Sequence, residues 1–149
     1  MQMLETTETD ERFQALCREL DEEYFQLFGE QSLKYKGVNQ IEDALAVVLA
    51  MEGEAAVGCG CIRNCQSDTV EIKRVLVKPE LRRQGIGEGI VAWLEAKAKS
   101  LGFTATVLET GKEMPWAIAL YEKLGYRLIP NYGSFEGDGA VICMKKTLE

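Results

Sequence analysis

The sequence predicts a mixed α+β fold: a mostly antiparallel central sheet flanked by helices. Three observations carry that expectation. Apolar stretches at 44–51, 55–64 and 69–78 are strand-sized and joined by short polar turns, the pattern of an antiparallel meander. A strong helical periodicity follows and leads into a fourth apolar stretch, so the strands on either side of it are expected to run parallel through a crossover. A last helix and two closing strands complete the order.

Taken in turn, residues 2–6 read as a short opening strand. Asp10 can cap a helix in which Phe13, Leu16, Cys17, Leu20, Tyr24, Leu27 and Phe28 recur at helical spacing, and Gly29 ends it. Residues 29–40 have no clear period and read as a loop with at most a helical turn. Ala44–Met51 turns at Glu52-Gly53-Glu54 into Ala55–Asn64, which turns at Gln66-Ser67-Asp68 into Thr69–Lys78. Pro79 stops that strand. A helix is expected over Gly85–Leu101, with Ile86, Ile90, Val91, Leu94, Ala98 and Leu101 as its apolar stripe and Gly102 as its stop. Thr104–Glu109 is the crossover's second strand. Pro115 suits a helix's first turn, and Ala117, Leu120, Tyr121 and Leu124 form that helix's inner face. Tyr126–Pro130 and Gly139–Lys146 close the sheet.

Composition narrows the function. A chain of 149 residues with 46% hydrophobic content suits one domain spanning 1–149. It has no apolar run of the roughly 18 residues a membrane span needs. Its polar, acidic start lacks the order of a secretory signal, so a cytoplasmic location is expected. The five cysteines are an odd set and read as small hydrophobes in a reducing compartment; Cys59 and Cys61 should share one face of a strand. Because the chain has no histidine, a metal site would need cysteine and carboxylate ligands alone, and none is expected. The net charge of −7 argues against nucleic acid. Acidic residues gather early, among them Glu19, Asp21, Glu22 and Glu23. They read as a solvated helix face, or as an attraction for a cationic amine.

The chemistry concentrates in Val75-Leu76-Val77-Lys78-Pro79-Glu80-Leu81-Arg82-Arg83-Gln84-Gly85-Ile86-Gly87-Glu88. The order is strand, turn, helix. The first amides of a helix lack internal partners, and their dipoles sum to partial positive charge. Glycines there let a phosphate approach closely. Arg82 and Arg83 add full positive charge, so a diphosphate is the expected guest. The segment is not a Walker loop, because Gly-Lys-Ser/Thr is missing, and Gly-x-Gly-x-Gly after a meander is not the dinucleotide fingerprint.

This segment resembles the acetyl-CoA motif of the GNAT N-acetyltransferase superfamily, Arg/Gln-x-x-Gly-x-Gly/Ala, with Arg82, Gly85 and Gly87 in its positions. Val75-Leu76-Val77-Lys78-Pro79 resembles the family's strand ending in Val-x-Pro. Downstream, Ala117-Ile118-Ala119-Leu120-Tyr121-Glu122-Lys123-Leu124-Gly125-Tyr126 resembles its other hallmark. The likeness covers about residues 44–146. One position departs from it: Met114 stands where the family commonly has a cofactor-contacting Asn.

The resemblance implies a GNAT-like sheet whose strand 69–78 is bulged and splays from its parallel neighbour. The pantetheine arm of acetyl-CoA would lie in that gap against backbone groups of Val75, Leu76 and Val77. The pyrophosphate would sit on Arg82, Arg83, Gln84, Gly85, Ile86, Gly87 and Glu88. The implied reaction is direct acetyl transfer to a primary amine of a small molecule or peptide. An amide near Leu76 would polarise the carbonyl, and Tyr121 would be the general acid. The residue types nominate Glu71 as first candidate base and Glu109 as second. An acyl-CoA sensor without catalysis is the alternative reading. A homodimer is compatible, since the family often pairs through terminal strands.

Overall fold

The apolar runs become strands because most of them bury both faces. The computed structural model describes residues 1–35 and 40–149. Its order is β1 (Gln2–Thr6), α1 (Glu11–Phe28), a 3-10 segment (Gly29–Tyr35), β2 (Ala44–Glu52), β3 (Ala55–Gln66), β4 (Thr69–Val77), α2 (Ile86–Ser100), β5 (Ala105–Gly111), α3 (Pro115–Lys123), β6 (Arg127–Ile129) and β7 (Val141–Thr147). The loop expected over 29–40 is therefore a 3-10 segment as far as Tyr35, and positions 36–39 lie outside the described residues.

The seven-stranded sheet runs β1-β2-β3-β4-β5-β7-β6. Its one parallel pair is β4 with β5, and the remaining pairs are antiparallel. The expected mixed architecture is what forms. Helix α2 covers one face, packing on a core that includes Val48, Ile62, Val70, Ile90, Leu94 and Leu108. Helix α1 covers the other with Phe13, Leu16 and Leu20 against Val47, Leu49, Cys59 and Cys61. Alternate β2 residues thus enter opposite cores, which is why its sequence reads as one apolar run instead of an alternation. All five cysteines are free thiols, and Cys59 and Cys61 share the α1 side as expected.

Close helix–sheet packing depends on the missing side chains in β3. A Cβ at Gly58 would sit 2.8 Å from the Leu76 carbonyl oxygen and 3.0 Å from Ile90 Cδ1. Gly58→Ala is expected to lower stability by about 1–3 kcal/mol through overpacking, read as a lower denaturant midpoint at unchanged slope. An unchanged midpoint would mean that β3 and β4 separate freely here.

Two irregularities of β4 shape the site. Cys59 faces Leu76 and Cys61 faces Lys73, so two steps along β3 answer three along β4. The extra residue is a bulge at Arg74, whose φ of 59 lies in the left-handed region. The bulge reverses side-chain parity: Lys73 and Leu76, three apart, both face the α1 side, while Ile72, Val75 and Val77 face α2. The second irregularity is early divergence. Pairing of β4 with β5 covers Thr69–Glu71 against Ala105–Val107 and then stops. Past that point the strands splay.

Candidate active site

The splay opens a cleft of about 590 Å³. Residues 72–77 of β4 form one wall and 108–110 of β5 the other, with the start of α2, Tyr24 of α1 and Tyr121 of α3 completing it. Backbone polarity in β4 follows from strand alternation. The Lys78 amide donates to the Val57 carbonyl of β3 at 2.9 Å. Two residues back, the Leu76 amide is turned to β3 as well, leaving the Val75 and Val77 groups on the open edge. This narrows the expected donor near Leu76, because the amide of Leu76 itself is turned away from the cleft. Val75, next to the bulge, presents the corresponding donor. The Val77 carbonyl already accepts from Arg82 Nε at 2.8 Å.

At the outer end stands the glycine-opened helix. Gly85 is the N-cap in the left-handed region, at φ 83, and a Cβ placed there would meet nothing within 4 Å. The first intrahelical bond runs from the Gly89 amide to the Gly85 carbonyl at 3.0 Å. Among the described residues no backbone acceptor meets the amides of Ile86, Gly87 and Glu88. A Cβ added at Gly87 would lie 3.7 Å from Val77 Cγ2 and 3.9 Å from Leu120 Cδ2, so β4 and α3 both flank the helix start. The Ile86 side chain is buried and anchors the turn, Gln84 is exposed, and the Glu88 carboxylate pairs with Lys123 Nζ at 2.7 Å.

The two arginines of the turn divide the work, which corrects their joint reading as free charge. Arg82 places Nη1 and Nη2 on the Glu23 carboxylate at 2.9 and 2.5 Å. Its amide also bonds the Pro79 carbonyl at 3.4 Å. Arg82 therefore buttresses the turn against α1, its charge already met by a bidentate carboxylate. Arg83 is exposed, at φ 66, and takes no part in this corner's ion pairs among the described residues.

The acidic face of α1 proves to be a row of clasps. Glu19 holds Lys78, Asp21 holds Arg74 and Glu23 holds Arg82, at 3.4, 2.7 and 2.5 Å. Arg74 is buried; its Nη2 also donates to the Cys17 carbonyl at 2.8 Å, so it pins the bulge to α1. The reading of this face as a lure for cations is thus replaced by one in which it fastens the walls of the cleft.

Glu71 is also corrected. It sits at the last bridged pair, buried, where Tyr132 donates to it at 2.5 Å and Arg63 lies 3.9 Å away. Its carboxylate faces that cluster and not the cleft. Glu109 does line the cleft, with Lys73 Nζ 3.9 Å from its carboxylate. Burial, the largest influence, raises its carboxyl above the usual range although Lys73 opposes the shift. Tyr121 is buried along the same wall and packs edge-on against Tyr126, centroids 5.7 Å apart. Its hydroxyl has no hydrogen-bond partner among the described residues, and burial holds its pKa well above the ordinary phenol value. Met114 caps α3 and lines the cleft with a thioether, so it offers no amide contact there.

A family model, described as the Acetyltransferase (GNAT) family, matches residues 13–126. The chain belongs to this family. It is 32% identical over 102 residues, 68% of its length and 67% of the relative's, to the IAA acetyltransferase of Azospirillum brasilense. A Klebsiella pneumoniae structure named for the acyl-CoA N-acyltransferases is 29% identical, with a TM-score of 0.82 over 99% of this chain and 97% of that one. A Bacillus subtilis acetyltransferase solved in complex with CoA shares the fold, with 20% identity and a TM-score of 0.71 over 99% of each chain. Acetyl-CoA is the co-substrate of the GNAT family. No helix among the described residues of this GNAT chain is long and apolar enough to cross a membrane.

Sequence reasoning missed Tyr24, Arg74 and Trp116, all of which line this GNAT cleft. Tyr24 looked like one more apolar-stripe residue of α1. Arg74 carries no local mark of a bulge. Trp116, half-exposed at the mouth, sits beside Pro115 without any helical period to flag it.

Proposed function

We propose that the chain is an acetyl-CoA-dependent N-acetyltransferase that transfers the acetyl group directly to a primary amine of a small molecule or peptide. The observation that carries this is the unpaired amide set of Ile86–Glu88 opening on the same cleft as Tyr121 and Glu109. The residues present suit the co-substrate. The space in front of Gly85, the free N-terminal amides and exposed Arg83 suit a diphosphate. The open edge of β4 at Val75 and Val77 suits an amide-bearing arm, which can add its own hydrogen bonds there as a further strand does.

Each proton then has a custodian. An alkyl ammonium, with a pKa near ~10.4, must lose a proton before it can attack. Glu109 takes it, directly or through one water. The Val75 amide donates toward the carbonyl oxygen as charge builds on it. Tyr121, kept protonated by burial, gives its proton to the sulfur as the C–S bond breaks; the second proton that the attacking nitrogen sheds as the amide forms restores the phenol, and Glu109 releases the first to solvent.

The pH profile tests the base. Protonated Glu109 cannot accept, so kcat/KM falls as pH drops through its raised pKa and is retained above it. Glu109→Gln is expected to lower kcat/KM by about 100-fold and to abolish that acid limb. A variant that keeps both the limb and the rate would assign the base elsewhere.

A further inference from the structure

A second cavity, of about 720 Å³, opens beyond the inner end of the cleft. The two share Tyr24, Glu109, Thr110 and Met114 as walls, so a molecule in the second reaches Glu109 without crossing the first. Its volume lies in the range of small-molecule sites. Its walls are notable for rings. Tyr24 and Phe28 come from successive turns of α1, centroids 6.4 Å apart and tilted by 44°. Tyr35 enters from the 3-10 segment, with its hydroxyl fixed by Asp138 at 2.7 Å. Met114 and Val141 add to the apolar lining. A Cβ at Gly111 would stand 4.0 Å from Phe28 Cζ and 3.2 Å from Met114 Sδ, so the glycine keeps this space open.

Charge is distributed just as unevenly. Glu109 is the carboxylate at the inner end, where the cavity meets the cleft. Towards solvent, Lys34 is paired with Asp138 at 3.1 Å and stands 5.5 Å from the Tyr35 ring centroid. Exposed Lys112 and Glu113 adjoin each other and offset in sign. Among the described residues the outer rim thus has no surplus carboxylate for a second ammonium. The acidic residues of α1 do not supply one either, because Glu19, Asp21 and Glu23 are engaged with Lys78, Arg74 and Arg82 and are absent from these walls.

We propose that this cavity is the acceptor site, and that it selects a primary monoamine carried on an aromatic body over polyamines and lysine-like amines. The proposal rests on reading the first cleft as the acyl-donor site. The flat body lies among Tyr24, Phe28 and Tyr35, where tilted and edge-on ring contacts favour an aromatic partner. The amine then points at Glu109, the one carboxylate common to both cavities.

The test measures CoA thiol release from acetyl-CoA with phenethylamine, hexylamine and spermidine, alongside calorimetry of acetyl-CoA binding. Phenethylamine is expected to exceed spermidine in kcat/KM by about tenfold or more, and hexylamine by a few-fold. Phe28→Ala, and separately Tyr35→Leu, should reduce the phenethylamine-to-hexylamine ratio by about fivefold at unchanged acetyl-CoA affinity. If acetyl-CoA binds but spermidine is preferred, or no amine releases thiol, or neither variant moves the ratio, the acceptor proposal is wrong while the donor site stands. If acetyl-CoA does not bind at all, the reading of the first cleft fails and this proposal fails with it.

Discussion

Tyr121→Phe is expected to lower kcat by about 100-fold while leaving the KM for acetyl-CoA within about twofold. The side chain's cohesive work belongs to its ring, which keeps the edge contact with Tyr126 and its place in the core. The hydroxyl bonds no described residue, so its removal leaves no orphaned partner, and the thermal midpoint should barely move. What is lost is a proton held where a thiolate must leave. Burial raises the phenol's pKa, which keeps the acid loaded throughout the neutral range. Single-turnover thiol release with saturating acetyl-CoA reads the effect directly. Tyr24 provides the internal control, because it lines the same cleft and is also pushed to high pKa by burial. If Tyr121→Phe retains full turnover and Tyr24→Phe loses it, the acid belongs to α1 instead.

What could be read without coordinates was whatever local pattern encodes. The helix start at Gly85 was visible because a strand, a proline, two arginines and spaced glycines lie in sequence. The elements were visible because their periods are strong and their turns are short and polar. Long-range pairing was not. The family likeness implied a bulge within 69–78, but its place at Arg74 arises from a mismatch of one residue between β3 and β4 that neither strand marks by itself. The placement of β7 between β5 and β6 likewise depends on pairing partners that no nearby residue announces.

The same limit explains the two candidate bases. Glu71 and Glu109 are each strand carboxylates near basic residues, and their sequence neighbourhoods hardly differ. The position at which β4 and β5 part is what sets their surroundings apart. Glu71 lies on the last bridged pair and is taken by Tyr132, whereas Glu109 lies beyond the last bridged β5 residue, Val107, where the gap has opened. Charge shows a parallel case. Arg82 was rightly placed in the turn, but its partner Glu23 stands 59 residues earlier. An acidic helix face and a basic turn look like two separate surfaces in sequence. Folded together they become a clasp, and the exposed Arg83 is left with the charge that its neighbour no longer offers.

Gly85→Asp is expected to weaken acetyl-CoA binding by about 100-fold or more, and three effects contribute. A left-handed φ of 83 strains any L-residue, at a cost of about 1–2 kcal/mol. That strain alone lowers stability modestly, because the new Cβ meets nothing within 4 Å. The carboxylate also carries negative charge to where a diphosphate would rest, in the first turn of α2. It can moreover accept from the amides of Gly87 or Glu88, as a side-chain cap does, and so occupy the donors the ligand needs. Gly85→Ala separates these contributions: it keeps the strain, adds no charge, and should weaken binding only a few-fold. Calorimetry of both variants then yields a ratio that measures the anionic competition by itself. Should the aspartate variant bind acetyl-CoA as tightly as the parent chain, the amides of this turn do not hold the phosphates. Equal losses in the two variants would instead locate the whole effect in the shape of the turn.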